Sequence, residues 1–260
     1  MREFSSVVVS SAAKRVGRLP LRNASIIETR AEYLIGMDDD AWFTSASTVT
    51  ELVRQIVGEP RTAILGIPFL EARPANGTMT SRAAPLNCEL KSYVAAACLC
   101  RVSALRAVGG YHEFLVYQGE ERDLCVRLRS AGWSIRMAST APMVHAVSST
   151  RDRNEMQRYG VRNQILYDFF YAPWFIVPIV TTRHVYRLLV YRLNAGWMVR
   201  TLLYAMEGIR ECWTYRGHRS PLSPSTYRNH MALPSHGPRY VAATELPPPC
   251  TAQPSSLVRT

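Results

Sequence analysis

Three observations predict an α/β layered fold for this chain of 260 residues. Short apolar runs of strand length alternate with amphipathic segments of helix length across residues 1–150. Glycines and helix-capping residues separate these segments, and acidic residues follow directly on apolar runs. Such alternation builds a sheet flanked by helices, and an apolar content of 47% supplies one substantial core.

In order, residues 7–9 read as a buried strand, 21–29 as a helix and Tyr33–Met37 as a second buried strand. Thr48 and Glu51 make a capping-box pattern that opens a helix, and Gly58 stands where a helix C-terminal glycine belongs. Strands are expected at 62–67 and 92–100. Ser103 can cap a short helix closed by Gly109, and 110–119 reads as a loop that lines a cleft. Residues 121–131 form a helix ending at Gly132, followed by strands at Ser134–Met137 and Met143–His145. Residues 151–219 are helical and rich in tyrosine, tryptophan, leucine and arginine. Residues 220–260 accumulate proline, serine and threonine and read as a mostly disordered tail.

Composition narrows the classes of function. A formal net charge of +11 calls for an anionic partner: nucleic acid, acidic lipid or a phosphorylated substrate. No zinc-finger, helix-turn-helix or RNA-binding signature accompanies the charge, which argues against nucleic acid. The six cysteines contain no CxxC pair and sit largely within apolar runs, as buried reduced thiols in a cytosolic chain would. The N-terminus does not fit a signal peptide. The longest apolar stretch, 169–180, contains Pro173 and Pro178 and falls short of the roughly 20 residues that cross a bilayer. Between Tyr167 and Met206, however, Phe169, Phe170, Trp174, Leu188, Leu189, Trp197 and Leu202 alternate with Arg183, Arg187, Arg192 and Arg200. This pattern serves either a helix pair packed on the preceding domain or a basic amphipathic face on an anionic membrane.

Three constellations carry candidate chemistry. Asp38, Asp39 and Asp40 follow the strand Tyr33–Met37, at the carboxyl end of a buried strand, where the active sites of open α/β sheets gather. They are a solvated acidic turn or, because crowded carboxylates repel unless a cation relieves them, a site for Mg²⁺ or Mn²⁺. Glu120, Glu121 and Asp123 open the second constellation. Glu121 precedes Leu124, Cys125 and Leu128 by helical spacing and shares their face, so it complements the helix dipole or acts as a general base. Asp123 and Arg127, four apart, read as an exposed ion pair. His145, after a short apolar strand, is structural or a ligand.

Taken in order, these stretches resemble the family 2 glycosyltransferases of the GT-A fold. Asp38-Asp39-Asp40-Ala41 is similar to that family's aspartate motif, Val108-Gly109-Gly110-Tyr111-His112-Glu113 to its acceptor loop, and the run from Glu120 to Arg129 to its acidic catalytic motif and helix. Ala131-Gly132-Trp133 and Ala141-Pro142-Met143-Val144-His145 continue the resemblance, as do Arg162-Asn163 and Arg219-Ser220-Pro221-Leu222-Ser223. The order carries it, since each motif alone is weak.

The resemblance implies a Rossmann-type mixed sheet in residues 1–150 and inverting, metal-dependent transfer of a sugar, of the hexosyl or deoxyhexosyl kind, from a nucleotide-diphosphate-sugar. The acceptor would be a hydroxyl of a glycan or lipid-linked saccharide, in polysaccharide or cell-wall synthesis at the cytoplasmic face of a membrane. Asp38 and Asp39 would contact the donor, Asp38, Asp40 and His145 would bind Mg²⁺ or Mn²⁺, Glu121 or Glu120 would be the base, and Gly109, Gly110 and Tyr111 would meet the acceptor. Two departures accompany it. A glutamate stands at 121 where the family usually has aspartate, and the family's first strands, which hold the nucleotide base, have no counterpart before residue 7. The second departure admits an alternative, an inactive binding module of the same fold.

Overall fold

In the computed structural model, which describes residues 16–72, 83–146, 152–191 and 194–249, the apolar runs become strands of two four-stranded sheets. The expected strand at 7–9 lies outside the described residues, as does Cys250. The first sheet contains β1 (Tyr33–Met37), β3 (Thr62–Gly66), β5 (Ala97–Arg101) and β6 (Ser134–Met137), in the order β1-β5-β3-β6. Only the β3–β6 pair is parallel, so the sheet is mixed. The second contains β2 (Ala41–Phe43), β4 (Phe69–Ala72), β7 (Met143–His145) and β8 (Arg239–Val241), in the order β2-β7-β4-β8. Its β7–β4 and β4–β8 pairs are parallel and β2–β7 antiparallel.

The central strands are apolar on both faces because both faces are covered. Ile64, Cys98, Cys100 and Ile135 pack with Leu19, Ile26, Leu105, Leu124 and Leu128 on one side. Leu65, Ala97 and Leu99 pack with Leu52 and Ile56 on the other. The helices supplying these residues are α1 (Arg18–Glu28), α2 (Thr48–Gly58), α3 (Val102–Ala107) and α4 (Glu120–Ser130). Among the described cysteines, Cys98, Cys100 and Cys125 are buried in this core and Cys88 and Cys212 are half-buried, none of them paired in a disulfide.

Several local expectations shift. Among the described residues β1 stands at the edge of its sheet and is only partly buried, with Ile35 36% and Met37 48% exposed. Its glycine is required by packing, since a Cβ on Gly36 would stand 2.1 Å from the Ala95 carbonyl oxygen. Ser47, not Thr48, is the N-cap of α2, and its hydroxyl donates to Glu51 Oε1 at 2.7 Å. Ser103 lies inside α3, which follows Arg101 directly. The strand expected at 92–100 is confined to its last part, because residues 95–96 form a turn that ends in the Ala97 N–H to Val94 carbonyl bond.

The C-terminal part folds as α5 (Arg153–Tyr171), α6 (Val177–Tyr191) and α7 (Ala195–Thr214). Asp152 caps α5 by accepting from the Asn154 and Glu155 N–H groups, at 2.8 and 3.1 Å. The expectation of a mostly disordered tail fails within its described part. Ser223 and Pro224 start α8 (Pro224–Ala232), a Ser-Pro pair suited to N-cap and N1. The chain then returns across the sheets: the Lys91 N–H donates to Pro234 O at 2.7 Å, β8 pairs with β4, and Trp42 Nε1 donates to Pro247 O at 3.0 Å. Proline and serine composition signalled disorder, but tertiary hydrogen bonds recruit the segment.

His236 fastens that return. Its Nδ1 accepts from the Val94 N–H at 3.1 Å, and its Nε2–H donates to the Ile67 carbonyl at 2.8 Å, which fixes a neutral tautomer. Burial holds its pKa down at about 4. Between about pH 6.5 and 4 the unfolded chain therefore binds a proton that the folded chain refuses, and this stability, fully present above pH 6.5, is lost as pH falls through about 4. In His236→Gln, where the amide can still donate to Ile67 but does not titrate, the stability difference from wild type should narrow across that window. Denaturant unfolding at a series of pH values measures it, and a difference that stays constant from pH 7 to pH 4 refutes the assignment.

Candidate metal and catalytic site

The aspartate triplet becomes a site because β1 does not simply end. Asp39 and Asp40 make a tight turn, closed by the Ala41 N–H donating to the Asp38 carbonyl at 3.2 Å, and the chain enters the second sheet as β2. In that sheet Ala41 lies opposite His145, and the Ala146 N–H donates to the Asp40 carbonyl at 2.8 Å. The pairing sets one acidic turn against one histidine more than a hundred residues away.

Asp38, Asp40 and His145 each offer a ligand atom, all within 4.8 Å of one another. His145 Nε2 stands 3.4 Å from Asp40 Oδ1 and 3.9 Å from Asp38 Oδ2. The other ring nitrogen, Nδ1, is 2.9 Å from Glu71 Oε1 on β4, which orients the buried imidazole toward the aspartates. Two carboxylates and an imidazole suit a divalent cation that accepts oxygen and nitrogen together. Asp40 Oδ1, buried and accepting no hydrogen bond among the described residues, fits the same group. Glu71 was not singled out from sequence, where it is one acid in an apolar stretch. Asp39 lines the same cleft without joining the triad.

Across that cleft stands the start of α4. Glu120 is 3% exposed, with Oε1 3.6 Å from Arg22 Nη1, while Glu121 is half-buried. Burial first, and the adjoining Glu121 carboxylate second, push the Glu120 pKa up to about 7. Sequence spacing had put Glu121 on the inward face. Of the two, Glu120 is the carboxylate the fold buries, at the first position of α4 after a left-handed Gly119 (φ 90°). Both line one cleft of about 1200 Å³ with Asp38, Asp39, Asp40, Glu71 and His145, and Arg18 and Arg22 of α1 also reach it.

Asp123 departs most from expectation. It is 2% exposed instead of forming a surface pair. Arg127 Nη2 lies 2.9 Å from its Oδ2, Tyr171 Oη donates to Oδ1 at 2.6 Å, and His112 Nδ1 sits 3.1 Å from Oδ2. Burial works to raise its carboxyl, but the His112 hydrogen bond, the Arg127 charge and Tyr171 outweigh it and hold it below the ordinary range.

The loop ahead of α4 is strained: Val116 and Gln118 have φ of 58° and 67°, and both line the cleft. A β-branched residue with positive φ persists only where its surroundings fix it. Asn163 on α5 does so, its Nδ2 lying 2.7, 2.9 and 2.6 Å from the carbonyls of Leu115, Tyr117 and Gln118. Arg162 Nη2 donates to Phe114 O at 3.0 Å.

Gly109, Gly110 and Tyr111 do not line the cleft. Gly110 (φ 67°) gives way to Asn23, whose Oδ1 would meet a Cβ there at 2.5 Å. Asn23 Oδ1 accepts from the Tyr111 N–H at 2.8 Å, and its Nδ2 donates to Tyr111 O and Glu113 Oε1, both at 2.9 Å. Tyr111 is 7% exposed, its hydroxyl bonded to that of Tyr93. These residues shape the loop from beneath; Asn23 carried no sequence signal.

No protein-family model matches the chain, and no curated protein sequence does. Among solved structures it is similar to a mannosyltransferase from Pyrobaculum calidifontis in complex with GDP-Man and Mn²⁺, at 13% identity and TM-score 0.47, covering 84% of this chain and 59% of that one. It is also similar to S. aureus TarS 1-349 in complex with UDP-GlcNAc, at 12% identity and TM-score 0.42, covering 59% of this chain and 47% of that one. The chain thus spans less than two thirds of either protein's length. At these scores the functional reading rests on the residues of this chain.

Asn163→Ala removes the donor from three carbonyls of a strained loop, so stability should fall by about 1–3 kcal/mol. Amide hydrogen exchange across 115–121 should quicken while β3 and β5 stay protected. Unchanged exchange in that loop would show that Asn163 does not hold it.

Proposed function

We propose that the chain is a metal-dependent glycosyltransferase that moves a sugar from a nucleoside-diphosphate donor to an acceptor hydroxyl, with inversion at the anomeric carbon. The observation supporting this is the convergence on one cleft of Asp38, Asp40 and His145 with Glu120 and Glu121, in the motif order of the family 2 resemblance. Asp38, Asp40 and His145 would bind Mn²⁺ or Mg²⁺, and the imidazole favours Mn²⁺, the more nitrogen-tolerant of the two. Such an ion, when bound, neutralises the charge that develops on a departing nucleoside diphosphate. Asp39 lies beside the donor, and Arg18 and Arg22 supply positive charge toward its diphosphate.

Glu121 is the base. Half-buried at the cleft wall, it accepts the acceptor hydroxyl proton as the oxygen forms its bond to the anomeric carbon and the carbon–phosphate-oxygen bond breaks in line. Glu120, too enclosed to meet an acceptor, is protonated below about pH 7 and there adds no second negative charge beside the base. The acceptor in this reading is a glycan or lipid-linked saccharide.

Two measurements test the assignment. Asp40→Ala should abolish Mn²⁺ binding in calorimetry with the melting temperature nearly unchanged, and retained Mn²⁺ affinity removes the metal site. Glu121→Gln keeps size and hydrogen bonding, so nucleotide-sugar turnover should drop by about two to four orders of magnitude while donor binding persists. If Glu120→Gln is the variant that loses turnover and Glu121→Gln stays active, Glu120 is the base. Donor binding with no turnover in wild type gives the binding module instead.

A further inference from the structure

The helical hairpin presents apolar side chains that stay largely exposed among the described residues, with arginines stacked on its tryptophans at Trp174 and Trp213. α7 packs on α5 through Thr201, Ala205 and Gly208, which are buried; a Cβ on Gly208 would meet the Arg162 carbonyl oxygen at 3.0 Å. The residues spaced three and four apart on its other side, Val199, Leu202, Leu203, Met206, Ile209 and Trp213, are 49–74% exposed. α6 and the turn before it add Trp174, Phe175, Ile179 and Tyr186, each more than 60% exposed. Leu188, by contrast, packs against the α5–α7 contact and accepts the Trp197 indole N–H at 2.8 Å, so the outward set differs from the one sequence spacing picks out.

Charge identifies the partner. The only acids between Pro173 and Thr214 are Glu207 and Glu211, and both turn inward to α5. Arg158 Nη2 lies 2.7 Å from Glu207 Oε1, and Arg162 pairs with Glu211. Arg183, Arg187 and Arg210 are exposed on the same two helices. The outer face is therefore apolar and cationic with no free acid. A second copy docking through this face would bring like charges together. No helix among the described residues is long and apolar enough to cross a membrane. We propose that the α6–α7 hairpin lies in the interface of an anionic bilayer, its apolar stripe among the acyl chains and its arginines on lipid phosphates.

Flotation with vesicles of equal parts phosphatidylcholine and phosphatidylglycerol tests this on the full chain. Wild type should float with these vesicles at low salt, be released at high salt, and stay behind with pure phosphatidylcholine. Leu203→Glu with Met206→Glu should abolish flotation, and Arg187→Ala should weaken partitioning about fivefold. Mn²⁺ binding at Asp38, Asp40 and His145 and an unchanged circular dichroism spectrum certify that the variants are folded. Wild type that remains soluble with the anionic vesicles overturns the proposal, as does equal flotation on both lipids. A stable dimer by light scattering that the Leu203/Met206 substitution dissociates assigns the face to self-association instead.

Discussion

Much of the site depends on one buried carboxylate. Asp123, in the first turn of α4, takes bonds from His112 in the preceding loop, Arg127 one turn on and Tyr171 at the end of α5. A buried charge left unpaired costs several kcal/mol, so the three partners are held wherever Asp123 is held. Their convergence fixes the register of α4 against α5. That register sets Asn163 beneath the loop at 115–118 and Glu120 and Glu121 at the cleft wall. Arg127 extends the tie by donating to the Val108 carbonyl at 2.7 Å, ahead of the glycine turn.

The cleft concentrates acids in a chain of formal charge +11. Eight carboxylates, from Asp38, Asp39, Asp40, Glu71, Glu120, Glu121, Asp152 and Glu155, line it with two arginines of α1. Like charges so gathered raise the free energy of the fold unless something relieves them. Part of the relief is internal: Glu71 lies against His145 Nδ1, and Glu120 is driven toward its neutral form. Asp38 and Asp40 face the other imidazole nitrogen, and a cation bound there would relieve the remainder. The positive excess sits elsewhere, part of it on the helical hairpin.

The C-terminal return joins the two sheets to the helices. β8 adds a parallel strand beside β4, the strand that carries Glu71, and Pro238 and Tyr240 reach the cleft. Arg219 Nη2 donates to the Ala172 carbonyl, and the Ser220 and Leu222 N–H groups donate to Phe170 and Tyr171, so the segment between α7 and α8 seals the end of α5. A stretch composed like a loop thereby supports both the candidate metal site and the helix packed beside the cleft acids.

Sequence alone determined the features governed by local pattern. Strands β3, β6 and β7 and helices α2 and α4 follow from apolar period and glycine stops, which depend on neighbours a few residues apart. The same reasoning marked Asp38, Asp40, Glu120, Glu121 and His145, because acids after an apolar run and at a helix start stand out from their surroundings. Only the tertiary structure decided which of these meet. Ala41 pairs with His145 across a hundred residues, and Glu71 reaches His145 from a third strand; neither contact leaves a trace in local spacing. It also decided the burial of Asp123, read as a surface pair because an i,i+4 spacing says nothing of the helix packed above it. The order of residues 234–247 came last, since the hydrogen bonds that anchor it, at Pro234, His236, β8 and Pro247, reach segments distant in sequence. Pattern fixes what a segment can become; long-range pairing, which no local pattern encodes, fixes what it touches.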